Sequence, residues 1–222
     1  MVNGQWSMKG LLLVSLMAVA CLPAVAARAV VIPAAAIDDQ LAAKSDQKMI
    51  VFAGGCFWGI EAVFEHTKGV VMATSGYAGG PERMATYEQV STGRTGHAES
   101  VQVIYDPSKV TVGQLMRVFF SVAHDPTELN RQGPDDGPQY RSEIFAANPD
   151  QERIAQAYIA QLDKAAVYNL PIVTKVSSLE GFYAAEGYHQ DYLKKHPNDM
   201  YIVINDAPKI VALKKTLPEL YR

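Results

Sequence analysis

At 222 residues, with 49% hydrophobic and 19% charged content, the chain has the material for one globular domain with a sizeable core and shows no signature of disorder. Its formal net charge is −3, and Lys and Arg are scattered among Asp and Glu without a basic stripe, which argues against nucleic acid as a partner. The five histidines, His66, His97, His124, His189 and His196, lie far apart with no HExxH pair and no Cys-x-x-Cys, so neither a metal site nor a bound cofactor is expected.

The first residues read as an export signal over 1–26. Lys9 carries positive charge, Leu11 to Leu22 is apolar, and Ala24-Val25-Ala26 offers small residues for cleavage. The apolar run falls short of the ~20 residues that span a bilayer, so a transmembrane anchor is the weaker reading, and lipid attachment at Cys21 is the minor alternative to cleavage after Ala26. The expected compartment is therefore the periplasm. Either way Cys21 is removed or blocked, Cys56 is the one free thiol, and an internal disulfide is excluded by counting.

Residues 27–47, rich in alanine and broken at Pro33, read as a spacer, and the folded domain is expected over 48–222. Met49-Ile50-Val51-Phe52-Ala53 before Gly54-Gly55 is the pattern of a buried strand entering a sharp turn. A helix follows, with Ile60, Val63 and Phe64 at helical spacing and Lys68-Gly69 as its stop. Val70 to Tyr77 is β-branched and aromatic. Glu99, Val101, Val103 and Tyr105 alternate with Ser100, Gln102 and Ile104 as a strand would. From Thr111 a second helix carries Leu115, Val118, Phe119 and Val122 as one stripe and ends at His124-Asp125-Pro126. After a polar loop over 127–139, Tyr140 to Ala146 suits another strand. The order strand, helix, strand, strand, helix, strand predicts an α+β, ferredoxin-like two-layer sandwich in a single domain. A helix from Pro149 to about Ala166, a strand around Ile172 to Val176 and a helical stretch from Ala184 to Lys195 are expected to decorate it.

A cysteine between a strand-ending Gly-Gly and a helix has its sulfur near the free N–H groups of the first turn, where thiolate is favoured. Such placement lowers a thiol pKa from about 8.5, which makes Cys56 the candidate nucleophile; a buried, inert cysteine at a strand-to-helix corner would look the same. Phe57 and Trp58 directly after it suggest an apolar pocket suited to a methyl group and a polarisable sulfur, although both could simply cap the core.

The run Gly55-Cys56-Phe57-Trp58-Gly59 resembles the signature of the peptide methionine sulfoxide reductase A family. Further similarity follows in order: Thr86-Tyr87-Glu88-Gln89-Val90, Gly93-Arg94-Thr95-Gly96-His97-Ala98-Glu99, His124-Asp125-Pro126-Thr127, Gln139-Tyr140-Arg141-Ser142 and Tyr188-His189-Gln190. The resemblance covers roughly Lys48 to Ile204. It implies thiol-dependent reduction of methionine-S-sulfoxide in proteins and in free form, with Phe57 and Trp58 holding the methyl group, Tyr87, Glu99 and Tyr140 surrounding the sulfoxide oxygen, and Asp135 supporting the site. Glu99 would be the general acid, which demands a pKa well above the usual 4.3 or so and hence burial. His97 and His189 are expected to be structural hydrogen-bonding residues. Pro134 and Pro138 stand where Asn and Thr are common, which leaves the shape of the loop near Asp135 open; Ser91 stands where relatives often carry cysteine, and the tail from Pro208 to Arg222 has no resolving cysteine. The implied partners are oxidised protein methionine and an outside thiol such as a thioredoxin-like protein, with the enzyme a monomer. A cysteine hydrolase built on Cys56 and His97, and a noncatalytic binder of methionine-rich partners, are the rival readings.

Overall fold

The computed structural model describes Met1 and residues 29–222; apart from Met1, the export signal read over 1–26, with Cys21, lies outside the described residues. The framework is β1 (Lys48–Gly54), α1 (Phe57–Glu65), β2 (Val70–Ala78), α2 (Tyr87–Val90), β3 (Ala98–Tyr105), α3 (Val112–Val118), the short hairpin β4 (Arg131–Gln132) and β5 (Asp135–Asp136), and β6 (Ser142–Ala146). Then follow α4 (Pro149–Lys164), β7 (Lys175–Ser178), β8 (Phe182–Ala184), α5 (Tyr192–Lys195) and α6 (Ala207–Thr216).

The main sheet runs β7-β6-β1-β3-β2-β8. Its four central strands are the expected α+β ferredoxin-like plan: β1 lies between β3 and β6, antiparallel to both, and β2 pairs with the outer side of β3. The later chain extends both edges. β7 adds parallel to β6, which requires the crossover that α4 supplies, and β8 adds antiparallel to β2. One face of the sheet presents Ile50, Phe52, Val101, Val103 and Ile144 to Ile60, Phe64, Leu115, Phe119 and Ile154 of the helical layer, all 0% exposed. The other face carries a small cluster of Val51, Ala53, Ala78, Ala98 and Phe145. The alternation read in β3 thus has a cause: Val101, Val103 and Tyr105 face the helices, and Glu99 continues that row into the site.

Two expected elements are corrected. The helical stretch over 184–195 is helical only at Tyr192–Lys195; it begins as β8 and then turns. Its Gln190 side chain bonds inward instead of lying on a solvent face. The Gln190 amide accepts from the Ser75 N–H at 3.0 Å and donates to the carbonyls of Ser75 and Ala185, and Asp191 takes φ +54°, which ends any helix there. The segment read as a spacer over 27–47 is docked from residue 29 onward. Ile32 is buried, the Val30 N–H donates to the Ser121 carbonyl at 3.0 Å, and the Tyr158 hydroxyl donates to the Pro33 carbonyl at 2.6 Å. Alanine-rich composition hid this, because much of the arm is held through its backbone carbonyls and amides, with Ile32 as its one large buried side chain.

Periodicity also misses two wider turns. The helix from Thr111 ends in a π-turn over Phe119–Ala123, and a second π-turn over Ile202–Asp206 leads into α6. Both deliver residues to the same place, His124 from the first and Asp206 from the second.

Candidate active site

Cys56 is the N-cap of α1, reached through Gly55 at φ +98°, where a Cβ would also stand 2.5 Å from the Gln132 side chain. Only glycine fits this turn, so the Gly-Gly step before Cys56 is a steric requirement. The thiol itself is buried, 9% exposed.

The first free N–H of the helix does not serve the sulfur. The Phe57 N–H donates to Oε2 of Glu99 at 3.2 Å, so the end of α1 holds a carboxyl group next to Cys56. Glu99 is 3% exposed, and burial, reinforced by Asp135 and Asp206, lifts its pKa to about 8 against the opposing pull of the Phe57 N–H. Near neutral pH it is mostly the protonated acid, as the resemblance demands.

For Cys56 the expected thiolate is corrected. Burial, then the charges of Glu99, Asp206 and Asp135, push the thiol well above its usual range, and the Trp58 N–H opposes them only in part. A helix N-terminus favours thiolate where water is near; here desolvation and three carboxyl groups outweigh it. The resting site therefore stores two protons, one on Cys56 and one on Glu99.

Tyrosines ring these groups. Tyr87 from α2 and Tyr140 from the turn before β6 both have raised pKa values, from burial first and then from the charges of Glu99 and Cys56, so their hydroxyls stay protonated as donors. The structure thus brings Cys56, Glu99, Tyr87 and Tyr140 together from four separate chain segments. Asp135 joins them by accepting a hydrogen bond from the Tyr201 hydroxyl, with its carboxyl raised by burial. The Pro134 and Pro138 loop is the β4–β5 hairpin: Gln132 pairs with Asp135, and the Gly137 N–H returns to the Asn130 carbonyl at 2.9 Å.

Phe57 and Trp58 take different positions. Phe57 is 1% exposed and packs against Tyr77 and His189. Trp58 is half-buried and stacks on Tyr192, with ring centroids 3.7 Å apart, and meets Tyr201 edge-on. Its Nε1–H donates to Nδ1 of His189 at 3.2 Å, which identifies the His189 tautomer with the proton on Nε2. His97 is occupied elsewhere, with Nε2 at 3.1 Å from the Pro81 carbonyl and its ring between Tyr77 and Tyr183.

Several residues of the site carry no signal in the sequence pattern. Glu186 accepts from the Tyr77 hydroxyl and from the Tyr87 N–H, each at 2.9 Å, and so ties α2 to β2. Tyr201, Asp206 and Lys209 arrive from the second π-turn and α6. A cleft of about 650 Å³ opens at Cys56, walled by His124, Asp135, Tyr201 and Lys209 and rimmed by Val30 and Val31 of the arm. His124 is a neutral wall: burial holds its pKa down to about 3, and its Nε2 contacts the Ser142 hydroxyl at 2.7 Å. Among the described residues no group of three or more His, Cys, Asp and Glu is arranged to hold a metal ion, and no helix is long and apolar enough to cross a membrane.

A buried thiol, an acid kept protonated beside it, and hydroxyl donors around both are the equipment for reducing a polar S–O group. Comparison with known proteins agrees. The family described as peptide methionine sulfoxide reductase matches residues 48–220. A protein of Mesorhizobium japonicum named peptide methionine sulfoxide reductase MsrA 2 is 60% identical over 183 residues, covering 82% of this chain and 93% of that one. A protein of the same name from Synechocystis is 51% identical, covering 72% and 75%. Among solved structures, reduced Mxr1 of Saccharomyces cerevisiae matches with TM-score 0.62 and 36% identity over 73% of this chain and 92% of that one. Methionine sulfoxide reductase A of Corynebacterium diphtheriae matches with TM-score 0.59 and 39% identity over 70% and 77%. The chain belongs to the peptide methionine sulfoxide reductase family.

Proposed function

We propose that the protein is a peptide-methionine (S)-S-oxide reductase that repairs oxidised methionine in proteins, and also accepts the free amino acid, through a sulfenic acid on Cys56. The observation that carries this reading is the pairing at the start of α1: the helix N–H of Phe57 holds Glu99, a buried acid protonated near neutral pH, beside the one free thiol among the described residues.

The sulfoxide oxygen is received by the carboxyl of Glu99 and the hydroxyls of Tyr87 and Tyr140, and the methyl group lies against Trp58 with Phe57 behind it. As the Cys56 sulfur attacks the sulfoxide sulfur, Glu99 gives its proton to the oxygen and then takes up the thiol proton. A thiolate therefore forms only as its proton gains a destination, which reconciles a raised thiol pKa with nucleophilic attack. The S–O bond of the substrate breaks and oxygen passes to Cys56. Methionine leaves reduced by two electrons, and Cys56 is left as the sulfenic acid, oxidised by two. Asp135 supports this set through Tyr201. Because methyl and oxygen directions are both fixed at a chiral sulfur, a single epimer is the substrate, and the resemblance to the family implies the S form.

With no second thiol in the domain, an external thiol attacks Cys56 sulfenic acid, releasing water and forming a mixed disulfide, and a second thiol frees Cys56 as a disulfide leaves. A thioredoxin-like protein or a small thiol fills this role. The apolar run and small residues of 1–26 support export to the periplasm, where the donor must also work, with the enzyme acting as a monomer.

The test is a single turnover. Reduced protein mixed with methionine-S-sulfoxide and no reductant should yield one methionine per Cys56 thiol lost. Product without thiol loss, or no product, rejects the cycle; ester hydrolysis that depends on His97 would favour a hydrolase instead.

A further inference from the structure

Behind the reactive sulfur lies a charged pair that the cycle does not use. Asp206, at the end of the second π-turn, is fully buried, and its Oδ1 lies 3.0 Å from the ammonium of Lys209, itself only 7% exposed. The pair is incompletely satisfied. Asp206 Oδ2 has no partner among the described residues, and Lys209, which has three donors, makes one hydrogen bond among them. Burying an ion pair in this way is a poor source of stability, because desolvation of both charges offsets their attraction.

Its position explains a second feature. A Cβ on Gly59 would stand 2.0 Å from Asp206 Oδ1 and 2.8 Å from Lys209 Nζ, so the first turn of α1 is pressed directly onto the pair. Glycine three residues after Cys56 makes room for a carboxylate, not for a tighter helix. Lys209 is also the one Lys or Arg among the described residues that line the cleft at Cys56.

We propose that Asp206 and Lys209 are a positioning unit that sets where the site keeps its protons: Asp206 opposes negative charge on Cys56 and Glu99, and Lys209 limits that opposition. The inference rests on the reductase reading and deepens it. The groups facing Cys56 are Glu99 from β3, Asp135 from β5, Tyr87 from α2, Tyr140 before β6, neutral His124, Tyr192 from α5, Tyr201 and this pair. Of the carboxylates that raise both Cys56 and Glu99, Asp206 alone has an ammonium hydrogen-bonded to it. Without Asp206, Cys56 would ionise more readily and Glu99 would surrender its proton at lower pH. The first change favours a bare thiolate; the second removes the acid the sulfoxide needs.

These opposite consequences give the test. In Asp206→Asn, the midpoint for alkylation of Cys56 by iodoacetamide should fall by half to one pH unit, about three- to tenfold more thiolate at a pH below the midpoint. Over the same range, single-turnover reduction of methionine-S-sulfoxide should become slower, with its alkaline limb moved to lower pH. A residue that merely holds the fold would depress both rates or move neither. The double variant Asp206→Asn/Lys209→Met buries no ion at this place; it should shift both profiles the same way but less, and it gives the readings should the single variant fail to fold. Alkylation unchanged or slowed in the folded variants overturns the inference. Failure of the unaltered protein to release methionine in proportion to thiol lost would instead reject the reductase reading on which it rests.

Discussion

The Phe57 amide donates to Glu99 Oε2 at 3.2 Å, so the positive end of the helix that begins at Cys56 is aimed at the acid and not at the sulfur. This bond favours the charged form of Glu99, yet burial and neighbouring carboxyl groups win, and the pKa settles at about 8. A general acid must hold its proton to act. The single-turnover rate should therefore fall as pH rises through about 8, and rapid-quench measurements from pH 6 to 9 will show it; a rate that climbs steadily with pH, as for a thiolate-limited reaction, would contradict the assignment.

The same proton makes Glu99 a cost to the fold. A carboxyl whose folded pKa is raised binds its proton more tightly in the native state, so between the unfolded value near 4.5 and the folded value near 8 stability falls with rising pH. At pH 7 the interval is roughly two and a half units, or about 3 kcal/mol. Glu99→Gln keeps an acceptor for the Phe57 N–H without this penalty. It should slow the chemical step at least 100-fold while raising Tm, most visibly above pH 7 and little at pH 5.

Trp58 depends on His189 for its orientation. The indole N–H donates to Nδ1 at 3.2 Å, and the ring is clamped between Tyr192 and Tyr201. His189→Phe retains the aromatic contact with Phe57 but removes the acceptor, leaving the half-buried indole N–H to water. The expected loss is about 1 kcal/mol of substrate binding, read as a roughly fivefold rise in KM with kcat nearly unchanged. A large fall in kcat would instead give His189 a part in proton transfer.

The ferredoxin-like core was legible because its signals are local. β3 alternates along its length, and Thr111 starts α3 with a full capping box to Gln114. The motif residues Cys56, Glu99, Tyr87 and Tyr140 were named from resemblance, and the structure brings them together. What could not be read is what depends on environment or on irregular turns. Spacing alone puts Cys56 at a helix N-terminus and predicts a thiolate; only the three-dimensional neighbourhood reveals Glu99, Asp206 and Asp135 converging on it. Tyr201, Asp206 and Lys209 escape because a π-turn shifts the helical period just before α6, and a buried lysine looks like a surface one in sequence. The arm escapes for a related reason, since many of its anchors are backbone groups, which carry no sequence signal.

The arm also carries one side chain whose removal tests its role. Asp38 accepts from the Thr111 hydroxyl at 2.5 Å and from the Gly113 N–H at 2.7 Å, placing a carboxylate at the N-terminus of α3. Farther along, the Ala42 N–H donates to the Pro107 carbonyl at 2.9 Å and the Ser45 hydroxyl to Asp106 at 2.8 Å. A detached spacer would make none of these bonds. Asp38→Ala should cost about 1–2 kcal/mol, since two buried donors at a helix start lose their acceptor, and the loss should appear as a lower Tm with kcat on methionine-S-sulfoxide little changed. An unchanged Tm would mean that the arm is dispensable to the domain, as its composition alone suggested. Because Val30 and Val31 form part of the rim at Cys56, a loosened arm should also admit larger peptides, and KM for a sulfoxide-bearing peptide should change more than KM for the free amino acid.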